Sequence, residues 1–312
     1  MTRIALLLAM TSTLATACRP PATPQATVPA PVPASQNPSP MVDATRTHQR
    51  LVRRELGGAA RAFPGPVGKP VDVWIPDAAR ARDTVDVVLH FFGAAWLPEQ
   101  AVADGAPGAV AVVVNLGGGS GIYDRSFRDP AALDSLLAAA RREIEAAVGR
   151  PVSLGTITLS AFSAGHGAVR AILAEPRHFA RVHAVLLLDG MHTSYVPERQ
   201  VLADGGMLDT TNLVAFRDFA RAAMNGEKRF LVAHSEIFPG TFASTTETAD
   251  WMLGSLGLRR TPVLEWGPRG MQQLSEVRAG RFELRGYAGN TAPDHIDQLH
   301  AMPELLARLL AP

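Results

Sequence analysis

The run Thr156-Ile157-Thr158-Leu159-Ser160-Ala161-Phe162-Ser163-Ala164-Gly165-His166-Gly167 holds the residues best suited to chemistry. A β-branched strand meets a serine flanked by small residues, and a helix-like segment follows. This is the local pattern of a nucleophile elbow, a tight strand-to-helix turn that pushes the serine hydroxyl out of the backbone. Positions two before and two after the serine crowd its backbone, so they must be small. Here they are Ala161 and Gly165, with alanine standing where glycine is usual. A serine hydroxyl is a poor nucleophile at neutral pH and needs a base beside it. The same residues also suit an ordinary βα turn with a serine near the helix N-cap, so the rest of the chain must decide.

The elements around the serine alternate between strand and helix. Val71 to Ile75 alternates apolar and polar, as a half-exposed strand does. Asp86 to Phe92, Ala109 to Val114, Leu154 to Leu159 and Val182 to Leu188 are almost continuously apolar strands. Phe230 to Ala233 and Phe282 to Tyr287 read as two more. Helices are expected over Pro130–Val148, Ala164–Ala174, Leu213–Met224, Thr245–Leu256 and Ile296–Leu310. Continuous apolar strands separated by helices imply an α/β fold: a mostly parallel, doubly wound sheet with helices on both faces. Ligands bind such sheets at the carboxyl ends of the strands. Ser163, Asp189 and the turn after Phe92 all follow strand ends, which puts them on one edge.

Composition sets the wider limits. The chain has 312 residues, 47% of them hydrophobic and 19% charged, with a formal net charge of +1. That is globular, and the near-neutral balance gives no electrostatic basis for binding nucleic acid. Arg3, the short apolar run Ile4–Met10 and the small residues up to Ala17 read as a signal peptide over residues 1–17. Cys18, the only cysteine, stands where bacterial lipoprotein signals carry their lipidated residue. With no second cysteine there is no disulfide framework. Residues 18–45, rich in proline and alanine, lack the apolar content to fold and read as a tether. Residues 46–312 remain for the folded domain. The expected location is the bacterial cell envelope, with a lipid anchor on Cys18, or secretion if Cys18 is not lipidated.

Taken together, the elbow at Ala161-Phe162-Ser163-Ala164-Gly165, the turn His90-Phe91-Phe92-Gly93-Ala94 and a late histidine before a terminal helix resemble the α/β-hydrolase superfamily. The resemblance covers roughly Val71 to Leu310. It implies a serine esterase or depolymerase-like activity with Ser163 as nucleophile. It implies His295 as general base, preferred over His300, which lies five residues on. The orienting acid is Asp189, directly after a buried strand, in preference to Glu236 after the next strand. The backbone N–H groups of Ala94 and Ala164 would form the oxyanion hole. Gly93, Tyr123 and His166 are expected at the substrate. No cofactor and no metal are implied; there is no HExxH or comparable ligand pair.

Other features fit a pocket wall better than a separate chemistry. Gly117-Gly118-Gly119-Ser120-Gly121 lacks the lysine and spacing of a phosphate-binding loop. Met191–Asn212 and Ile237–Thr246 are irregular and follow strand ends, as a rim or partial lid would. The expected substrate is a small or polymeric ester. Two alternatives stay open at this level. One is a non-catalytic envelope lipoprotein of the same fold that binds a ligand or partner. The other is a peptidase or thioesterase, which differs from an esterase only in its pocket.

Overall fold

The computed structural model describes residues 47–312. The signal peptide, Cys18 and the tether expected from the sequence lie outside the described residues. The strands are β1 Ala59–Pro64, β2 Pro70–Ile75, β3 Thr84–Phe91, β4 Val110–Val114, β5 Ser153–Phe162, β6 Val182–Leu188, β7 Tyr195–Val196, β8 Met207–Leu208, β9 Arg229–His234, β10 Thr261–Trp266, β11 Gln272–Ala279 and β12 Phe282–Tyr287. The α-helices are α1 Trp96–Gly105, α2 Ser120–Phe127, α3 Pro130–Val148, α4 His166–Leu173, α5 Pro176–Arg181, α6 Val214–Met224, α7 Thr245–Leu256, α8 Ala292–His300 and α9 Met302–Leu310.

Ten strands form one sheet in the order β1-β2-β4-β3-β5-β6-β9-β12-β11-β10, and β7 and β8 form a separate hairpin. The six strands from β4 to β12 run parallel. β1 and β2 are antiparallel additions at one side, β11 and β10 at the other. The mostly parallel sheet read from the apolar runs is present, with helices on both faces. On one face β5 and its neighbours pack under α3, α4 and α6, through Leu137, Val169 and Phe219. On the other face Val88, Leu186 and Leu231 meet Leu97 of α1 and Leu305 of α9. Burial on both faces is why these strands read as unbroken apolar runs rather than alternating ones.

Register decides where the chemistry sits. Phe91 pairs with Ala161, Phe162 with Leu188, and Leu188 with Ala233. The carboxyl ends of β3, β5, β6 and β9 are therefore level. The residues that follow them, Phe92 and Gly93, Ser163, Asp189, and Ser235, emerge on one edge. A shift of one residue in any strand would turn its end residue away.

Local sequence explains the helix that brings the histidine to that edge. Thr291 and Asp294 form a capping box, with Pro293 in the first turn. This box starts α8 earlier than its apolar periodicity suggests. His295 thus lies in the first turn of α8, its N–H bonded to the Thr291 carbonyl at 3.1 Å, and not ahead of the helix as expected. The expected single terminal helix is two, α8 and α9, joined around Ala301, with Pro303 starting the second. Five strands escaped the sequence reading: the short hairpin strands β7 and β8, and β1, β10 and β11 of the main sheet. The last three are antiparallel strands at the two margins of the sheet, with mixed polarity, and Trp266 on β10 is 73% exposed.

Candidate active site

Ser163 occupies the turn between β5 and α4 with φ +44°, a left-handed conformation that a non-glycine residue adopts only under constraint. The constraint is visible on both sides. A side chain at Gly165 would place its Cβ 2.1 Å from the Phe91 carbonyl oxygen. One at Gly190 would lie 2.6 Å from the Ser163 carbonyl oxygen. The neighbouring strands therefore touch the elbow backbone directly, and only glycine fits at these two points. The Ser163 carbonyl also accepts a hydrogen bond from His166 Nδ1–H at 2.8 Å. This is the pattern of a nucleophile elbow, and alanine at 161 is tolerated, fully buried in the strand.

His295 and Asp189 come together. His295 Nδ1–H donates to Asp189 Oδ2 at 2.8 Å. Asp189 is 0% exposed and sits at φ +46°. Burial alone would raise its pKa. The hydrogen bond and charge of His295 and the hydroxyl of Ser235 outweigh that, and hold the carboxyl below the usual range. Ser235 gives Asp189 two donors: its O–H to Oδ2, and its N–H to Oδ1 at 3.2 Å. With Nδ1–H on the carboxylate, the imidazole presents Nε2 as an acceptor. The Ser163 hydroxyl makes no hydrogen bond with a described residue, so the histidine–carboxylate half of a relay is formed and the serine–histidine contact is not. In unliganded sites such contacts often tighten only with substrate.

Glu236 and His300 go elsewhere. Glu236 accepts the Gly289 N–H at 3.1 Å and donates its own N–H to the Gly289 carbonyl, joining the loops after β9 and β12. His300 Nδ1 accepts the Leu51 N–H at 3.0 Å, so it anchors the chain entering the domain. That entering segment also binds α8 through His48 Nδ1 to Asp297 Oδ2 at 2.6 Å and Arg50 Nε to Asp297 Oδ1 at 3.2 Å. His48, Asp294 and Asp297 are the group with metal-ligand spacing among the described residues. Asp297 is engaged by a guanidinium and Asp294 by the Thr291 cap, which accounts for both carboxylates without a cation.

The turn after β3 is held by His90, whose partners no local pattern reveals. His90 is buried between Ser160, whose hydroxyl donates to Nδ1 at 3.0 Å, and the Phe92 carbonyl, which accepts from Nε2–H at 2.9 Å. The bond fixes Phe92 at φ +72° and Gly93 at φ +146°. Gly93 backs onto Leu299 of α8. Beyond it the Ala94 N–H makes no hydrogen bond with a described residue, and Ala164 sits where a helix start leaves its N–H unpaired. The Phe92 ring stacks on Phe162 at 5.8 Å, and Phe162 lies against His295 at 4.6 Å, so one aromatic stack joins the three site segments.

Tyr123 corrects an expectation. It is 0% exposed, and its hydroxyl accepts the Leu116 N–H at 2.9 Å, so it pins the glycine loop from within and does not meet a substrate. The sequence reading left it in the glycine-rich loop; it lies on α2, which turns its ring inward. His166 is also buried, although its edge reaches a cavity of about 570 Å³ that opens over Ser163 and Ala164. The glycine loop reaches this cavity with Gly119 and Ser120. The two irregular segments supply much of its remaining wall, including Thr193, Arg199, Asn212 and Phe242. His192 donates to the Ala243 carbonyl and His234 to the Ser235 carbonyl.

Burial lowers the pKa of His90 and His234 to about 4 and that of His166 to about 3. Each is neutral when folded, whereas in the unfolded chain it takes a proton near 6.5. Between these limits the unfolded chain binds more protons, so stability is complete above about pH 6.5 and falls as pH drops toward 4. At pH 5 each histidine costs about 2 kcal/mol, and the three about 6 kcal/mol, a large part of a domain's stability. The urea midpoint is expected to fall steeply between pH 7.5 and pH 5. An unchanged midpoint would mean that these side chains protonate in place.

No protein-family model and no curated protein matches the chain. Solved structures resemble it. An esterase of Rhizomucor miehei is similar at 12% identity and TM-score 0.44, over 82% of this chain and 83% of that one. Thermogutta terrifontis esterase 2 is similar at 17% and 0.43, over 82% and 96%. The ferric enterobactin esterase of Salmonella typhimurium is similar at 13% and 0.45, over 82% of this chain, which spans 59% of that protein.

Proposed function

We propose that this chain is a serine hydrolase that cleaves carboxylic esters through an acyl-enzyme on Ser163. The observation that supports it most is the His295–Asp189 hydrogen bond of 2.8 Å on the sheet edge where Ser163 is held at φ +44°. In this reading His295 Nε2 takes the Ser163 proton as the hydroxyl oxygen attacks the ester carbonyl. Asp189 keeps the imidazole in the required tautomer and balances its positive form. The N–H groups of Ala94 and Ala164 receive the negative charge that develops on the carbonyl oxygen. The protonated imidazole then delivers its proton to the leaving alcohol, and water repeats the sequence to release the acid. Thiol esters and amides would pass through the same steps. Residues 1–17 and Cys18 lead us to propose export and lipid attachment for this activity.

Titration with a p-nitrophenyl alkylphosphonate tests the reading. One adduct per chain is expected, on Ser163, with loss of ester hydrolysis in parallel. An adduct elsewhere, or labelling that persists in Ser163→Ala, contradicts it. The unmade Ser163–His295 hydrogen bond is what favours a ligand-binding protein of the same fold, and complete resistance to the phosphonate would decide for that alternative.

A further inference from the structure

The cavity above Ser163 is not shaped for a long acyl chain. Phe242 is the one large apolar side chain among its described lining residues. Pockets for extended hydrocarbon are walled mainly by apolar and aromatic groups. Here the walls are hydroxyls, an amide, the imidazoles of His166 and His192, the Glu198 carboxylate and two arginines, Arg170 and Arg199, on different segments.

Arg170 is on α4, seven residues after Ser163, so about 10 Å along the helix axis. Side chains on a helix lean toward its N-terminus, which brings this guanidinium back toward the serine. Its Nη2 lies 3.2 Å and its Nε 3.4 Å from Asp124 Oδ1. The other oxygen of Asp124 is taken by Arg128. One carboxylate thus faces two guanidiniums and leaves the group positive. Nη1 of Arg170 makes no hydrogen bond with a described residue. The side chain is only 18% exposed, so its charge is less screened than a surface charge.

Arg199 comes from the segment between β7 and β8. It holds φ +66°, a left-handed conformation that arginine rarely takes. Glu198 also lines the cavity, but its oxygen is 4.0 Å from Arg199 Nε and both side chains are exposed, so it neutralises Arg199 weakly.

We propose that Arg170 and Arg199 form an anion-recognising subsite, and that the preferred substrates are esters whose acyl part ends in a carboxylate. The proposal rests on Ser163 being the nucleophile. A short dicarboxylic half-ester would bridge from the serine to the guanidiniums. Attack at its ester carbonyl releases the alcohol with the proton from His295, and water then frees the dicarboxylate.

The test compares p-nitrophenyl hydrogen glutarate with p-nitrophenyl pentanoate, which match in length and leaving group and differ in the terminal carboxylate. The wild-type ratio of kcat/KM is expected to favour the glutarate by about tenfold or more, mainly through KM, and to shrink as salt is raised from about 0.05 to about 0.5 M. Arg199→Gln and Arg170→Gln should each bring the ratio toward one, with Arg199→Lys in between. Arg170 also supports Asp124, so if Arg170→Gln unfolds by circular dichroism, Arg199→Gln carries the comparison. A wild-type ratio near one overturns the proposal, as does a ratio unaltered in Arg199→Gln. If neither ester is cleaved and the phosphonate leaves Ser163 unlabelled, the hydrolase reading has failed. Cleavage without preference refutes the subsite alone.

Discussion

Ser163→Ala is expected to lower kcat on a p-nitrophenyl ester by about 10⁴- to 10⁶-fold, with little change in KM. The size of the loss follows from how the site is built. The imidazole of His295 has its Nδ1–H committed to Asp189, so in the proposed reaction its other nitrogen is the one left to accept the Ser163 proton. Without the hydroxyl, the base and the acid that orients it have nothing to activate except water, and no acyl-enzyme forms. What survives is the contribution of the oxyanion N–H groups and of substrate binding, about 10³-fold over solution. The fold should not suffer. The Ser163 hydroxyl makes no hydrogen bond with a described residue, and alanine meets the same strain at φ +44° that serine does. Unfolding free energy is expected to stay within about 1 kcal/mol of wild type. Unfolding curves run beside the kinetics separate lost chemistry from lost structure. A decrease of less than about tenfold in a folded variant would place the nucleophile elsewhere.

The elbow was readable in the sequence because its requirements are local: a β-branched strand, a serine, and small residues where neighbouring backbone presses in. Gly165 against Phe91 shows that requirement directly. The central sheet was readable because strands buried on both faces cannot hide an apolar run. Direction and pairing were not readable. Tyr123 looked like a pocket residue on a loop, and only the packing of α2 turns it inward onto Leu116. His90 and Ser160 lie seventy residues apart in sequence and meet because β3 and β5 pair with His90 opposite Ser160. Nothing short of the strand register reveals that pair. Ser235 was passed over for its neighbour Glu236, since a carboxylate suggests a catalytic acid and a serine does not. In the fold the serine supports the acid, and the glutamate ties two loops together. The arginines of the cavity belong to the same class. Arg199 lies in a segment without periodicity, and its place over Ser163 follows from the course of that segment, which no local pattern encodes.

The contrast between Ser235 and Glu236 leads to the second large effect, because Asp189 and Glu236 are the two carboxylates that sequence order allows beside His295. Asp189→Asn is expected to lower kcat by about 10³- to 10⁴-fold, and Glu236→Gln by no more than about threefold. Asparagine has the shape of aspartate but one acceptor oxygen in place of two. Asp189 Oδ2 accepts both His295 Nδ1–H and the Ser235 hydroxyl, while Oδ1 takes the Ser235 N–H. An amide cannot accept all three. If its oxygen stays with Ser235, its NH₂ faces His295 and forces the proton onto Nε2. That nitrogen is then a donor aimed toward the serine, unable to take its proton. The loss should persist across the pH range in which the protein is folded. The environment of Asp189 holds its carboxyl below the usual range, so wild type keeps the negative charge wherever the domain is stable. At Glu236, glutamine retains an oxygen to accept the Gly289 N–H, and the joined loops should remain joined. If the large loss appeared in Glu236→Gln and not in Asp189→Asn, the histidine would have to turn away from β6 toward β9 during turnover, and the relay drawn from the 2.8 Å contact would be wrong.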